Sequence, residues 1–148
     1  FIVALMTCLL EVAPGSRILE VGTGSGYQSA ILAEMGAQVF GIECIPALAE
    51  RARQTLKALG YDNVTIKLGN GRLGWSEHAP FQGIIITAAA EKVPDALIEQ
   101  LAPGGRVVAP LGPRRPGQVL TVLTKDESGN IAQREILSVA FVPLTGEG

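Results

Sequence analysis

Apolar residues recur along the chain in two spacings, and each spacing predicts a different kind of element. Leu5, Leu9 and Val12 follow the three-to-four-residue spacing of a helix, whereas short continuous apolar runs bounded by turn residues are typical of buried strands. Helices are predicted at residues 1–12, 27–34, 47–59 and 94–101. Strands are predicted at residues 17–21, 38–43, 64–68, 83–87, 106–111, 119–125 and 131–142.

The alternation of strands and helices predicts an α/β fold of the doubly wound class, in one domain over residues 1–148. The first strands are continuously apolar, as expected of a mostly parallel sheet with helices on both faces. The last two strands are separated only by the turn at Ser128, Gly129 and Asn130. We therefore expect these two strands to form an antiparallel hairpin at one edge of the sheet.

Composition and charge exclude several classes of protein. The 148 residues carry 12 Lys and Arg against 14 Asp and Glu, a net charge of −2, and 47% of them are hydrophobic, which excludes a disordered chain. The pI near 5.4 argues against a nucleic-acid partner bound through bulk positive charge. No apolar run approaches the ~20 residues of a membrane span, so no membrane partner is expected. Cys8 and Cys44 do not form a disulfide framework, which favours a reducing, cytoplasmic location, and we expect a monomer.

The segment that follows the first predicted strand is rich in glycine. Ligands of open parallel sheets bind beyond the carboxyl ends of the strands, and glycine lets the backbone approach a ligand closely. The dinucleotide-binding spacing needs a small residue at position 27, where this chain has Tyr27. The predicted cofactor-binding residues here are Glu20, Gly22, Thr23, Gly24, Ser25 and Gly26. A tight strand-to-helix turn without a ligand is the alternative interpretation.

Polar residues also follow the second and third predicted strands. Glu43 ends the second strand, where a carboxylate can accept both hydroxyls of the ribose that NAD and S-adenosylmethionine share. A solvated acid at the strand end is the alternative, and Cys44 beside it is included in the predicted site. Asn70 and Gly71 follow the third strand. Asn70 offers a carbonyl and an amide to an adenine edge, although Asn-Gly is also an ordinary turn pair.

Two stretches of the chain resemble motifs of known proteins. Glycines at positions 22, 24 and 26, with an acid two positions before the first, resemble the first motif of S-adenosylmethionine-dependent methyltransferases of the Rossmann-like class. The stretch GNGRLGWSEHAPFQGI at residues 69–84 resembles the signature of the protein-L-isoaspartate O-methyltransferase family. Supporting matches lie at residues 2–6, 20–28, 59–64, 87–90, 101–106 and 141–146. The resemblance therefore extends over essentially the whole chain.

The family resemblance implies a repair enzyme. Its cofactor would be S-adenosyl-L-methionine, and the methyl acceptor would be the free carboxylate of L-isoaspartyl residues in damaged proteins. The resemblance places Thr145 near the cofactor, and Thr87 and Ala88 beside the incoming substrate peptide. The family's active-site Ser lies upstream of the stretch that matches Phe1. We therefore expect the family's N-terminal region to be lacking, and neither a catalytic residue nor a metal site within this chain.

The sequence departs from the family signature at two positions. Asn70 stands where the family has Asp, and Gln82 stands where Asp or Asn is usual. Asn70 retains an acceptor for the adenine amine but lacks the charge, which bears on the affinity for the cofactor. Gln82 opens a strand, where a surface change is the simplest interpretation.

The implied reaction needs no general base, because a carboxyl with a pKa near 4 is already ionised at neutral pH. The lone His78 is accordingly predicted to serve surface or packing roles. Trp75 and Tyr27 are predicted to pack in the core or in a loop. Two alternatives stay open. One is a related methyltransferase with another acceptor, and the other is a cofactor-binding fragment that is inactive without its N-terminal segment.

Overall fold

Seven strands and four α-helices make up the part of the chain that the computed structural model describes, residues 1–113 and 115–145. The helices are α1 (Ile2–Leu10), α2 (Tyr27–Glu34), α3 (Pro46–Ala58) and α4 (Asp95–Gln100), with 3-10 turns at Gly71–Leu73 and Ser76–His78. The strands are β1 (Arg17–Val21), β2 (Gln38–Glu43), β3 (Val64–Leu68), β4 (Phe81–Ile86), β5 (Leu101–Leu111), β6 (Gln118–Lys125) and β7 (Ile131–Val139). They form one sheet in the order β3-β2-β1-β4-β5-β6-β7, which confirms the predicted doubly wound α/β class.

The direction in which strands are added to the sheet reverses at β1. This strand pairs in parallel with β2 on one side and with β4 on the other, because the chain returns from β3 across β1 to reach β4. Connections on opposite sides of β1 diverge at its carboxyl end and leave a crevice there. The glycine-rich segment after Val21 lies at this crevice.

The other end of the sheet is antiparallel. Strand β6 pairs with both β5 and β7 in antiparallel register. The connections on either side of β6 are too short for a helical crossover, so parallel pairing is excluded there. The predicted hairpin of the last two strands is confirmed, and the β5–β6 pair extends it into a three-stranded meander.

Apolar side chains lie on both faces of the central part of the sheet. Successive residues of a strand point to opposite sides, so a continuously apolar strand contributes to both faces. Leu19 of β1 belongs to one core cluster and its neighbour Ile18 to another. The first cluster includes Trp75, Phe81, Ile84, Leu97 and Val107. The second includes Met6, Leu10, Leu32, Ile85 and Val108. Strands β1, β2 and β4 are therefore buried on both faces, whereas the edge strand β3 is partly exposed. A ligand can reach the buried strands only at their ends.

Several element boundaries differ from the predicted ones. Helix α1 ends at Leu10 rather than residue 12, because Glu11 takes a left-handed conformation with a φ of 53°. Strand β5 begins at Leu101 rather than residue 106, since Leu101 already pairs with Phe81 before a shift in register. Strand β7 ends at Val139 rather than residue 142, and the residues after it leave the sheet. None of the described helices is long and apolar enough to cross a membrane.

Trp75 and His78 pack in an aromatic cluster beside β2, as predicted. The Phe40 ring stacks on His78 with 4.3 Å between centroids and meets Trp75 edge-on at 5.8 Å. Tyr27 is 66% exposed, so the prediction that it packs in the core or a loop is wrong. The buried face of α2 is formed by Gln28, Ser29, Leu32 and Ala33, and Tyr27 lies outside that face at the start of the helix.

Candidate functional site

A cleft of about 270 Å³ opens at the carboxyl ends of β1, β2 and β4. Eight of the predicted site residues line it, namely Gly22, Gly24, Glu43, Cys44, Gly71, Thr87, Ala88 and Thr145. The other lining residues are Val21, Ile42, Ile45, Leu48, Val142, Pro143 and Leu144. A larger cavity of about 470 Å³ lies against the antiparallel end of the sheet, but none of the predicted site residues lines it. The smaller cleft is therefore the candidate site.

Five predicted site residues surround the cleft without being among the described residues that line it: Glu20, Thr23, Ser25, Gly26 and Asn70. Thr23 is buried against β2, where a Cβ on Gly41 would lie 2.6 Å from its Oγ1. Gly26 lies against α3, where an added Cβ would be 3.3 Å from a methyl of Leu56. Ser25 is exposed on the loop. Direct cofactor contact stays a prediction for these five residues.

The glycine loop is tied to the end of β4 at a position where only glycine fits. Gly22 has a φ of 90°, and a Cβ on it would lie 2.8 Å from Oγ1 of Thr87. The Thr87 hydroxyl lies 2.5 Å from the carbonyl of Gly22 and 3.1 Å from that of Val21, so it donates into the loop. The Thr87 amide also donates to Val21 at 3.0 Å. These bonds hold the two strand ends on either side of the crevice at a fixed distance.

Glu43 is a buried carboxylate held by the backbone on both sides. Its Oε1 accepts the Gly24 amide at 2.8 Å, and its Oε2 accepts the Ile45 amide at 3.0 Å. None of the ion pairs among the described residues involves Glu43. A carboxylate accepts about four hydrogen bonds. Glu43 therefore has acceptor capacity for two further donors at the wall of the cleft.

Glu20 lies completely buried beneath the glycine loop. Its Oε2 accepts the Ser29 hydroxyl at 2.7 Å, and its Oε1 has no hydrogen-bond partner among the described residues. Burial raises the pKa of Glu20 to about 8, the Ser29 hydrogen bond lowers it, and the negative charge of Glu43 raises it further. Glu20 is therefore largely protonated at neutral pH. Its position beneath the glycine loop indicates that it supports the loop.

Asn70 and Gly71 form the turn that follows β3. The Asn70 Oδ1 accepts the Arg72 amide at 3.0 Å and so caps the Gly71–Leu73 turn. Gly71 lines the cleft, and a Cβ on it would collide with the Val21 side chain. The glycine is therefore required for close packing of the turn against β1. The predicted contact between Asn70 and adenine stays a prediction.

Substitutions of Asn70 test whether its side chain contributes to binding of the cofactor. We expect Asn70→Asp to retain or raise the affinity for S-adenosylhomocysteine, because a carboxylate accepts the Arg72 amide and makes a stronger bond to an adenine amine. Asn70→Leu should lower the affinity about three- to tenfold, as loss of one hydrogen bond predicts. Calorimetric titration measures both, with Asn130→Leu in the β6–β7 turn as the control. Equal affinities of all three Asn70 forms would contradict the adenine contact.

The residues after β7 form a strap over the cleft, which we call the C-terminal strap (residues 142–145). The Ala89 amide donates to the Val142 carbonyl, and the Leu144 amide donates to the Ala89 carbonyl, both at 2.7 Å. At the far end, the Cys44 sulfur lies 3.1 Å from the Thr145 hydroxyl. The strap thus places Thr145 at the end of β2. Gly146, the last residue of the family-like stretch, lies outside the described residues.

The lining residues that sequence analysis missed are mainly apolar. Ile45 directly precedes α3 and Leu48 lies in its first turn, while Val142, Pro143 and Leu144 belong to the C-terminal strap. The apolar pattern predicts that β7 continues to residue 142 and so includes the start of the strap. Pairing of the strap with Ala89 places it at the cleft instead. Within the described ranges, no cluster of three or more His, Cys, Asp or Glu side chains suits a metal ion.

Comparison of the sequence with known proteins finds protein-L-isoaspartate O-methyltransferases. The family model for protein-L-isoaspartate(D-aspartate) O-methyltransferase (PCMT) matches residues 1–148. A "Protein-L-isoaspartate O-methyltransferase 2" of Syntrophobacter fumaroxidans is 57% identical over 146 residues, which cover 99% of this chain and 59% of the relative. A "Protein-L-isoaspartate O-methyltransferase" of Gloeobacter violaceus is 50% identical over 147 residues, which cover 99% of this chain and 71% of the relative. The chain thus spans only part of the length of these relatives.

Solved structures agree with the sequence relatives. A protein-L-isoaspartate O-methyltransferase superposes with a TM-score of 0.91 at 27% identity, covering 98% of this chain and 47% of that one. A Plasmodium falciparum structure in complex with S-adenosyl-L-homocysteine superposes with a TM-score of 0.79 at 28% identity, covering 96% and 70%. Both the whole-length family match and the close relatives lead to the same conclusion. The chain belongs to the protein-L-isoaspartate(D-aspartate) O-methyltransferase family.

Proposed function

We propose that the protein containing this chain transfers a methyl group from S-adenosyl-L-methionine to the free carboxylate of L-isoaspartyl residues in damaged proteins. Membership of the family supports the proposal, as does the S-adenosyl-L-homocysteine bound by the Plasmodium falciparum relative. The observation that carries it is Glu43, which two backbone amides orient at the wall of the cleft beside the glycine loop.

The residues of the cleft fit a nucleoside. The two acceptor positions left on Glu43 match the two hydroxyls of a ribose. Ile42, Ile45 and Leu48 supply apolar surface suited to a purine ring. Gly71 presents backbone without a side chain on the same lining. We assign the ribose to Glu43 and the base to the surface between α3 and Gly71.

The proposed chemistry requires no proton transfer. S-adenosyl-L-methionine supplies, when bound, a methyl group on a sulfonium sulfur. An oxygen lone pair of the ionised acceptor carboxylate forms the new O–C bond, while the S–C bond breaks and leaves its electron pair on sulfur. The products are a methyl ester and a neutral thioether, so neither a general base nor a general acid is needed.

The residues of this chain would act by orienting the reactants and excluding water. Thr87 and Ala88 form the edge of the cleft along which we propose that the substrate peptide passes. The C-terminal strap covers another side, where it keeps solvent from the reacting groups. Orientation of the reactants and exclusion of water both lower the barrier of such a reaction. The serine implied upstream of Phe1 stays a prediction.

We further propose that residues 1–148 form one domain of a monomeric, cytoplasmic protein whose partners are isoaspartyl peptides and proteins rather than nucleic acids. Cys8 and Cys44 are both unpaired, which supports a reducing compartment. The net charge of −2 supports weak attraction to nucleic acids.

A methyl-transfer assay with isomeric peptides tests the proposed function. The full-length protein that carries residues 1–148 is incubated with labelled S-adenosyl-L-methionine and a peptide containing one L-isoaspartyl residue. The matched control is the same peptide with an ordinary aspartyl residue. We expect a base-labile methyl ester on the isoaspartyl peptide alone. Equal transfer to both peptides would favour a related methyltransferase with another acceptor, and cofactor binding without any transfer would favour a non-catalytic module.

A further inference from the structure

Arg72 connects the turn after β3 to the C-terminal strap. Its Nη2 donates to the Leu144 carbonyl at 3.2 Å, and its Nε is buried without a hydrogen-bond partner among the described residues. Its backbone amide is held by Asn70, directly after Gly71 at the wall of the cleft. Arg72 thus links the wall assigned to the base with the strap.

The cation of Arg72 has no carboxylate partner among the ion pairs of the described residues. Its bond to the strap therefore does not compete with a salt bridge, and a charged donor makes the stronger kind of hydrogen bond to a carbonyl. When this bond breaks, one N–H donor of the half-buried guanidinium loses its hydrogen-bond partner. Such a loss is costly because little water reaches the group to replace the bond. The contact is suited to holding the strap in one position.

The C-terminal strap is a thin wall with open space on both sides. The candidate site lies on its inner side, and a second cleft of about 480 Å³ lies on its outer side. Pro143 and Leu144 line both clefts, and Arg72 lines the outer one. Besides the two backbone bonds to Ala89, the hydrogen bonds that hold the strap among the described residues are those of Arg72 and Cys44, and the Leu144 side chain is buried in the first core cluster. The outer cleft leaves room for the strap to swing away from the site.

We propose that Arg72 is a positioning residue that keeps the C-terminal strap closed over the cofactor, and that release of the nucleoside product requires the bond between Arg72 and Leu144 to break. The inference rests on the proposed function, because it assigns the cleft to the nucleoside. We place Arg72 in contact with neither the reacting carboxylate nor the methyl group.

The first test measures opening of the strap without any ligand. Amide hydrogen exchange at Leu144 and Ala89 reports on the two backbone bonds between the strap and the body. We expect Arg72→Met to speed exchange at both amides about tenfold, and Arg72→Lys to have a smaller effect because one charged donor remains. Lys125→Met is the matched control, since Lys125 also donates to buried carbonyls, those of Ile98 and Leu101, far from the cleft.

The second test measures departure of the ligand. Stopped-flow displacement of S-adenosylhomocysteine should give a dissociation rate constant about tenfold higher in Arg72→Met, intermediate in Arg72→Lys and unchanged in Lys125→Met. The association rate constant of Arg72→Met should stay within about twofold of the wild-type value, because a loosened strap leaves the binding site itself intact. If Arg72→Met does not fold, the same comparison is made with Arg72→Lys.

The outcomes separate this inference from the proposed function. Unchanged exchange at Leu144 and Ala89, or an unchanged dissociation rate constant, would overturn the role of Arg72. Failure of the unsubstituted protein to bind S-adenosylhomocysteine would instead overturn the proposed function, while the exchange measurement still decides whether Arg72 holds the strap.

Discussion

Replacement of Glu20 by Gln is expected to stabilise the protein above neutral pH and to remove a decline in stability between pH 4.5 and 8. The Glu20 side chain is completely buried, and its pKa is raised from 4.5 to about 8. The folded state therefore retains a proton that the unfolded state releases in this range. The contribution of Glu20 is fully present below pH 4.5 and is lost as the pH rises through 8.

The expected gain for Glu20→Gln is about 3–5 kcal/mol in the free energy of unfolding near pH 9, and close to zero near pH 4. Gln has the shape of the protonated acid and can still bond the Ser29 hydroxyl, so the packing beneath the loop is preserved. Urea denaturation at a series of pH values measures the difference. Glu99→Gln, an exposed change on α4, is the control and should leave the pH dependence unaltered. Parallel pH profiles for wild type and Glu20→Gln would show that the carboxyl is not neutral in the folded protein.

Replacement of Glu43 by Ala is expected to lower the affinity for S-adenosylhomocysteine by at least about 100-fold. The substitution removes two hydrogen bonds to the ribose, each worth about 1.5–3 kcal/mol before water compensates in part. It also releases the Gly24 and Ile45 amides, which hold the glycine loop and the start of α3. Calorimetric titration measures the affinity.

Two further substitutions sharpen the test of Glu43. Glu43→Gln retains one acceptor oxygen without the charge and should bind with intermediate affinity. Glu50→Ala removes an exposed carboxylate of α3 whose partner is Arg53, and it should bind like wild type. Wild-type affinity in Glu43→Ala would remove Glu43 from the site and leave the cleft without its nucleoside-specific group.

Sequence patterns were sufficient to predict the parts of the site that lie at strand ends. Glu43 and Thr87 each follow a continuous apolar run, and parallel strands bring such ends to one edge of the sheet. The same reasoning placed the glycine loop. The local pattern is informative here because these strands are buried on both faces, so polar side chains are expected mainly at the strand ends.

Sequence patterns were insufficient where a non-local contact decides the position. Val142 continues the apolar pattern of β7, and its departure from the sheet depends on hydrogen bonds to Ala89, far away in the chain. The complete burial of Glu20 depends on α2 packing over it through Ser29. No local pattern indicates the role of Arg72, because its bond to the Leu144 carbonyl depends on where the strap lies. The early start of β5 likewise follows from pairing with Phe81 across a stretch rich in glycine and proline.

The most direct measurement is a crystal structure of the full-length protein with S-adenosylhomocysteine and an L-isoaspartyl peptide bound together. The proposed function predicts ribose hydroxyls within hydrogen-bond distance of the Glu43 carboxylate and a peptide running along Thr87 and Ala88. The free carboxylate of the isoaspartyl residue should face the sulfur, in line for transfer. A nucleoside bound outside the cleft, or a peptide whose free carboxylate points away from the sulfur, would contradict it.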